Sequence, residues 1–322
     1  MGEGRGEGES PSKSEIGFAR VVRRRDMSLR LEMLQVARLA PKLLGESAEL
    51  VRHFLQSRQN PDGGFQDRSG RSDLYYTVFG LDGLLALQAE LPGERTADYL
   101  KSFGVGEGLD FVHLCCLARA WAATSNQARP ESGPPTAEIV RRIEAFRARD
   151  GGYHSGRGCE FGTAYAAFLA VGAYQDLKAE WHDPMRLVQS LKFLETNDGA
   201  WANERNVKVG STNATAAAIT TLRNLNAPVN QLAGDWLLAR CQPEGGFLAA
   251  PGAPIPDLLS TATALHALAG LEVSFAGVKE QCLDFIDTLW TNEGAFHGQW
   301  ADDHVDCEYT YYGLLALGHL SL

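Results

Sequence analysis

The chain has 322 residues, 44% of them hydrophobic, which is enough to bury a sizeable core. A formal net charge of −10 argues against a general nucleic-acid binder. No stretch has the apolar core of a signal peptide or the length of a membrane span, so the expectation is a cytoplasmic protein without a transmembrane segment.

From the start, Met1 to Ser14 is rich in Gly, Glu and Ser and has no apolar residue after Met1. It reads as a disordered tail. Arg20, Arg23, Arg24 and Arg25 follow as a solvated basic run, so residues 1–25 form a tail and 26–322 a single domain. Leu50, Val51, Phe54 and Leu55 then repeat at helical spacing, which predicts an amphipathic helix. The turn Asp62-Gly63-Gly64-Phe65 ends it, and a continuously apolar helix is predicted from Tyr75 to Leu87.

The same parts recur along the chain. Later turns are Asp150-Gly151-Gly152-Tyr153, Asp198-Gly199-Ala200-Trp201, Glu244-Gly245-Gly246-Phe247 and Glu293-Gly294-Ala295-Phe296. Their aromatic positions lie 88, 48, 46 and 49 residues apart, so the first gap holds a degenerate copy at Val105-Gly106-Glu107-Gly108. That makes six copies. The further apolar helices are predicted over Phe111 to Ala123, Phe161 to Ala173, Ala214 to Leu225, Leu258 to Leu271 and Tyr309 to Leu320. A helix apolar on most sides is buried on most sides. Alternation with one-sided helices such as Cys282-Phe285-Ile286-Leu289 therefore predicts two concentric layers. The expected fold is all-α: an α/α toroid, a six-fold barrel of inner and outer helices, with weak strand signals throughout.

Each inner helix opens on a leading residue: Asp73, Asp110, Cys159, Ser211, Asp257 or Asp306. Four residues later stands Thr77, Leu114, Thr163, Thr215, Thr261 or Thr310. Asp and Ser accept bonds from free amides of a first helical turn, so the leaders read as caps converging on one rim. Tyr75, Tyr76 and Tyr309 sit nearest the helix starts and are the aromatic pocket candidates. The six cysteines form no CxxC pair and read as reduced, mostly buried thiols.

These motifs resemble the prenyltransferase and squalene-cyclase repeat family, and most of all the β subunits of protein prenyltransferases of the Rab geranylgeranyl type. The strongest local likeness is Gly63 to Gly70 followed by Asp73 to Leu81, which is similar to that family's last zinc-bearing repeat. The resemblance implies an isoprenoid diphosphate or other lipid in a central cavity, a helical partner subunit, and a zinc or magnesium ion as cofactor. It also implies a split zinc set of Asp, Cys and His. Here Asp73 and His113 hold the matching positions, but Tyr75 stands where the family has Cys. Asp306, Glu308 and Tyr76 would form a second set on ring closure. No metal-ligand set is complete. Arg205 and Lys208 match the family's basic pair that grips the diphosphate. The resemblance thus makes Asp73, Tyr75, His113, Asp306 and Glu308 the catalytic candidates, with Arg205, Lys208, Tyr76 and Tyr309 binding substrate. The function it implies is a prenyltransferase-like protein passing its prenyl group to a protein or small acceptor. The alternatives are a non-catalytic lipid- or protein-binding toroid, and a terpene-cyclase-like enzyme, although the Asp-x-Asp-Asp acid of that branch is missing.

Overall fold

A computed structural model describes residues 27–91, 93–124, 134–181 and 183–322. The tail and basic run expected over residues 1–25 lie outside these. In chain order the helices are α1 (Leu29–Ala37), a short α2 (Pro41–Leu44), α3 (Ser47–Ser57), α4 (Leu74–Ala86), α5 (Gly93–Ser102), α6 (Phe111–Thr124) and α7 (Thr136–Glu144). They continue as α8 (Ala164–Asp176), α9 (Pro184–Lys192), α10 (Thr212–Asn224), α11 (Leu232–Leu238), α12 (Leu258–Gly270), α13 (Lys279–Thr288) and α14 (Cys307–Leu320). Three antiparallel hairpins of two-residue strands link outer and inner layers: β1 (Phe65–Gln66) with β2 (Ser72–Asp73), β3 (Phe247–Leu248) with β4 (Pro256–Asp257), and β5 (Trp290–Thr291) with β6 (Ala295–Phe296).

From α3 onward, outer and inner helices alternate. The inner helices α4, α6, α8, α10, α12 and α14 each pack on the next, and α14 packs back on α4 to close the ring. The fold is an α/α toroid.

The repeat motif explains how each pair is joined. The turn aromatics Phe65, Tyr153, Trp201, Phe247 and Phe296 are almost completely buried between layers. Their backbone is tied to the inner helix by the recurring threonine. The Phe65 amide donates to Thr77 Oγ1 at 2.9 Å, and the Thr77 hydroxyl donates to the Asp73 carbonyl at 2.6 Å. The same bond joins Trp201 to Thr215 at 3.0 Å and Phe247 to Thr261 at 2.9 Å. Asp73, Ser211, Asp257 and Asp306 cap their helices as expected, and Asp110 accepts the His113 amide. Cys159 does not cap. The third inner helix starts at Ala164 and is capped by Thr163, so its first turn lies beyond the Phe161 expected from apolarity. A hydroxyl can accept the first-turn amides, whereas a thiol is a weak acceptor.

Glycine is required where a turn meets the neighbouring outer helix. Gly294, in the last repeat, has φ +84°, and a Cβ there would overlap the backbone of Leu50 and Val51 on α3. This contact is the outer seam of the closed ring. Gly294→Ala should therefore destabilise the fold by about 2 kcal/mol or more, from the left-handed φ and the overlap together. Urea denaturation checks this, and a loss below ~0.5 kcal/mol would show that the seam yields at little cost.

The sequence reading missed α1. It stops the end of the ring where the inner helices finish. Leu29 N–H donates to Gln175 Oε1 at 2.9 Å, Arg223 at the end of α10 pairs with Glu32 at 3.1 Å, and Gly318 near the end of α14 abuts the Val36 carbonyl. Its Arg30 is buried against Asp82 at 3.1 Å and Asp176 at 3.4 Å. All six cysteines are free; four are buried, and Cys159 and Cys241 are half-buried. No helix among the described residues is long and apolar enough to cross a membrane.

Candidate functional site

The starts of α4, α6 and α14 meet at the open end of the ring. Asp73 Oδ1 accepts the amides of Tyr75 at 2.8 Å and Tyr76 at 3.3 Å, which leaves Oδ2 free for His113 Nε2 at 3.1 Å. The other ring nitrogen, Nδ1, lies 2.9 Å from Asp110 Oδ1. The Asp73 hydrogen bond above all, with that of Asp110, pushes His113 up to about 9 against the opposing effect of burial. Burial works against ionising Asp73, but the His113 bond and charge outweigh it and hold that carboxyl below its ordinary value. The group is an imidazolium between two carboxylates.

Beside it, the first and last repeats are joined. Arg68 Nε donates to Asp306 Oδ2 at 2.9 Å and Nη2 to Asp302 Oδ2 at 2.9 Å, and its guanidinium lies 5.6 Å from the centre of the Tyr309 ring. Closer to the axis, the Tyr75 hydroxyl donates to Glu308 Oε1 at 2.5 Å. Burial pushes Glu308 up to about 7, with Tyr75's bond and the Arg68 charge pulling the other way. Burial likewise pushes the Tyr75 phenol well up, helped by neighbouring Tyr312 and Glu308.

Below Tyr75 the ring encloses a lumen. Its walls include Tyr75, Val78 and Phe79 on α4, Cys115 and Cys116 on α6, Tyr165, Phe168 and Leu169 on α8, and Tyr312 on α14. Leu29, Arg30 and Met33 of α1 also line it, together with Arg119 and Asp176. The unfilled space among these side chains amounts to about 580 Å³, open solvent included. Glu308 stands one turn above Tyr312 on the same face of α14, so its carboxyl belongs to the mouth.

The sequence candidates are thus divided among three places. Asp73 and His113 are bonded to each other. Tyr75 lines the lumen and meets Glu308. Asp306, Tyr76 and Tyr309 flank Arg68 and are not part of the lumen wall. Arg205 and Lys208 lie in a separate surface cleft with Phe193 and Val207, where the Arg205 guanidinium is 4.1 Å from the centre of the Phe161 ring. Asn203, in the same loop, accepts the Tyr165 amide at 3.0 Å.

Comparison with known proteins fits this architecture. The model of the prenyltransferase alpha-alpha toroid domain matches residues 31–113 and 213–321, together more than half of the chain. The chain belongs to this family. Among the solved structures similar to this prenyltransferase-family toroid is a variant of the type II terpene cyclase MstE from Scytonema in complex with its substrate, geranylgeranyl dihydroxybenzoate. The TM-score is 0.61 at 15% identity, covering 88% of this chain and 97% of that one. A second MstE variant, in complex with the product merosterolic acid A, gives 0.58 at 14% identity over 87% and 97%. A protein from Actinoplanes gives 0.59 at 15% identity over 85% and 98%. At such identities the likeness is one of fold. Among curated proteins none matches.

The side chains of this toroid do not fit the zinc centre that the resemblance implied. Tyr75, in the place of the thiolate, is bonded to Glu308. Asp73 and His113 then supply two donors, where a zinc site takes three or four from the protein. Among the described residues, no group of three or more His, Cys, Asp or Glu side chains is placed to hold a metal ion.

Sequence reasoning read Asp110 only as a helix cap on the rim and missed Arg68, Arg119 and Asp176. The last two carried a signal, since a charged residue within a helix apolar on most sides has to be buried with a partner.

Proposed function

We propose that this protein binds an isoprenoid diphosphate, with the hydrocarbon in the lumen and the diphosphate at the mouth, and passes the prenyl group to an acceptor. One observation carries the reading: a carboxyl pushed up to about 7, Glu308, is bonded to Tyr75 at the mouth of an aromatic-walled lumen. Aromatic faces suit an isoprenoid chain, offering apolar area and stabilising developing positive charge. The similar cyclase holds geranylgeranyl dihydroxybenzoate, and a prenyl chain is the occupant proposed here.

In the proposed transfer, the bond from the prenyl carbon to the diphosphate oxygen breaks as the acceptor's oxygen or sulfur bonds to that carbon. The acceptor's proton passes to the Glu308 carboxylate. A base with a value near working pH is best matched to that task. Arg205 and Lys208, the pair that the family resemblance points to, would receive the departing diphosphate from their surface cleft.

Geranylgeranyl diphosphate should quench the protein's tryptophan fluorescence on binding. The double variant Arg205→Ala with Lys208→Ala should bind it about 10- to 100-fold more weakly, since each lost charge-assisted bond is worth ~1.5–3 kcal/mol before solvent screening. Unchanged binding in the double variant would remove the diphosphate site from this loop. Glu308 also favours a second reading, because its protonated fraction at neutral pH is a proton source for cyclisation. Release of pyrophosphate marks transfer; an isomerised product that keeps its diphosphate marks cyclisation.

A further inference from the structure

The lumen is not apolar to its end. Arg119 lies eight residues into α6 from Phe111, and Asp176 lies twelve into α8 from Ala164, so both sit deep, about 12 and 18 Å below the helix starts. Both line the cavity with Arg30 of the plugging helix. Arg119 donates through Nε to Asp82 Oδ2 at 2.8 Å, and its guanidinium lies 5.7 Å from the centre of the Phe79 ring and 5.9 Å from that of Tyr311. Arg30 bonds Asp82 and Asp176, and Asp82 is wholly enclosed. The floor therefore carries two guanidinium groups. Of the two facing carboxylates, Asp82 is committed to both arginines, while among the described residues Asp176 accepts a side-chain hydrogen bond only from Arg30, at 3.4 Å. Burial, the largest effect on it, pushes Asp176 up to about 7.

A hydrocarbon chain pressed onto this floor would offer no hydrogen bond to Arg119, whose Nη2 is buried without one although it lies 2.7 Å from Asp82. A buried donor left in that state is costly, whereas a ligand group that bonds it is selected strongly over one that cannot.

We infer that the ligand of this lumen carries an acidic group, a carboxylate or an acidic phenol, at the end that reaches Arg119. The inference rests on the lumen being the isoprenoid site. It adds a polar terminus to the substrate class and assigns Arg119 as the residue that selects it.

The test uses the full chain and three probes: geranylgeranoic acid, its methyl ester and geranylgeranyl diphosphate, each titrated by calorimetry. The acid should bind at least ~10-fold more tightly than the ester, the equivalent of one hydrogen bond to a charged group. Arg119→Gln should abolish that preference, while Arg205→Ala with Lys208→Ala should leave it intact. The reverse pattern would place the acid at the mouth and overturn the inference. Equal binding of acid and ester by the unaltered protein would overturn it without any variant, and would leave the isoprenoid site standing if the diphosphate binds. Failure of all three probes would overturn both readings. Where Arg119→Gln does not fold, Asp176→Asn serves. Removing the loosely held carboxylate should strengthen acid binding several-fold, and a weaker preference would count against the floor.

Discussion

Glu308→Gln is expected to lower turnover about 10²- to 10⁴-fold, the range that a positioned acid or base contributes, with little change in binding of the diphosphate. The amide keeps the shape and can still accept the Tyr75 hydroxyl, so only proton transfer is removed. If the proposed transfer holds, the unaltered protein should gain activity as pH rises through about 7, where the Glu308 carboxyl ionises. Residual activity of the variant should lack that limb. Stability should move the other way. The carboxyl's value is raised on folding, so its contribution is fully present below its ordinary value near 4.5 and is lost as pH rises through about 7. Glu308→Gln should therefore be more stable than the original at pH 8, with the difference shrinking toward pH 4. Turnover within threefold of the original across this range would remove Glu308 from the chemistry.

Asp82→Asn should be the most damaging change outside the mouth. The Asp82 carboxylate has no exposed surface and holds Arg30 at 3.1 Å and Arg119 at 2.7 Å. Removing the shared partner leaves two buried guanidinium groups facing each other, with only Asp176 nearby. Breaking a buried pair in this way costs about 3–5 kcal/mol. Because Arg30 belongs to α1, the loss should first appear as release of the plug. Limited proteolysis around Leu29–Ala37 should speed up at urea concentrations where the ring's helical circular dichroism is intact. A loss of less than ~1 kcal/mol, or simultaneous loss of plug and ring, would show that α1 is held by its apolar contacts with α14 rather than by the charges.

Much of this was legible in the chain because the repeat is local. A cap must stand next to the helix it caps, and a turn aromatic must follow its glycine. Asp73, Ser211, Asp257 and Asp306 were therefore readable as helix starts from spacing alone, as were the threonines four positions on. The miss at Cys159 has the same cause, since Thr163 satisfied the pattern as the later residue while it was itself the cap. The site was less legible. Tyr75 and Glu308 were both candidates, but they stand 233 residues apart in sequence, and only ring closure sets one hydroxyl on the other. Arg68 looked like part of a turn, and only the return of the last repeat gives it Asp302 and Asp306.

The sequence by itself determined the number of helix pairs, their two layers, and the rim on which the inner helices start. These follow from periodicity and from the chemistry of neighbouring residues. The tertiary structure decided what the ring encloses. A plug from outside the repeat, a charged floor beneath aromatic walls, and a carboxyl at the mouth come together only when the curvature of six stacked pairs brings the first repeat against the last. Burial then gives Glu308 and Asp176 values near neutrality, because a carboxylate removed from water loses its solvation. No local pattern in the chain contains that information.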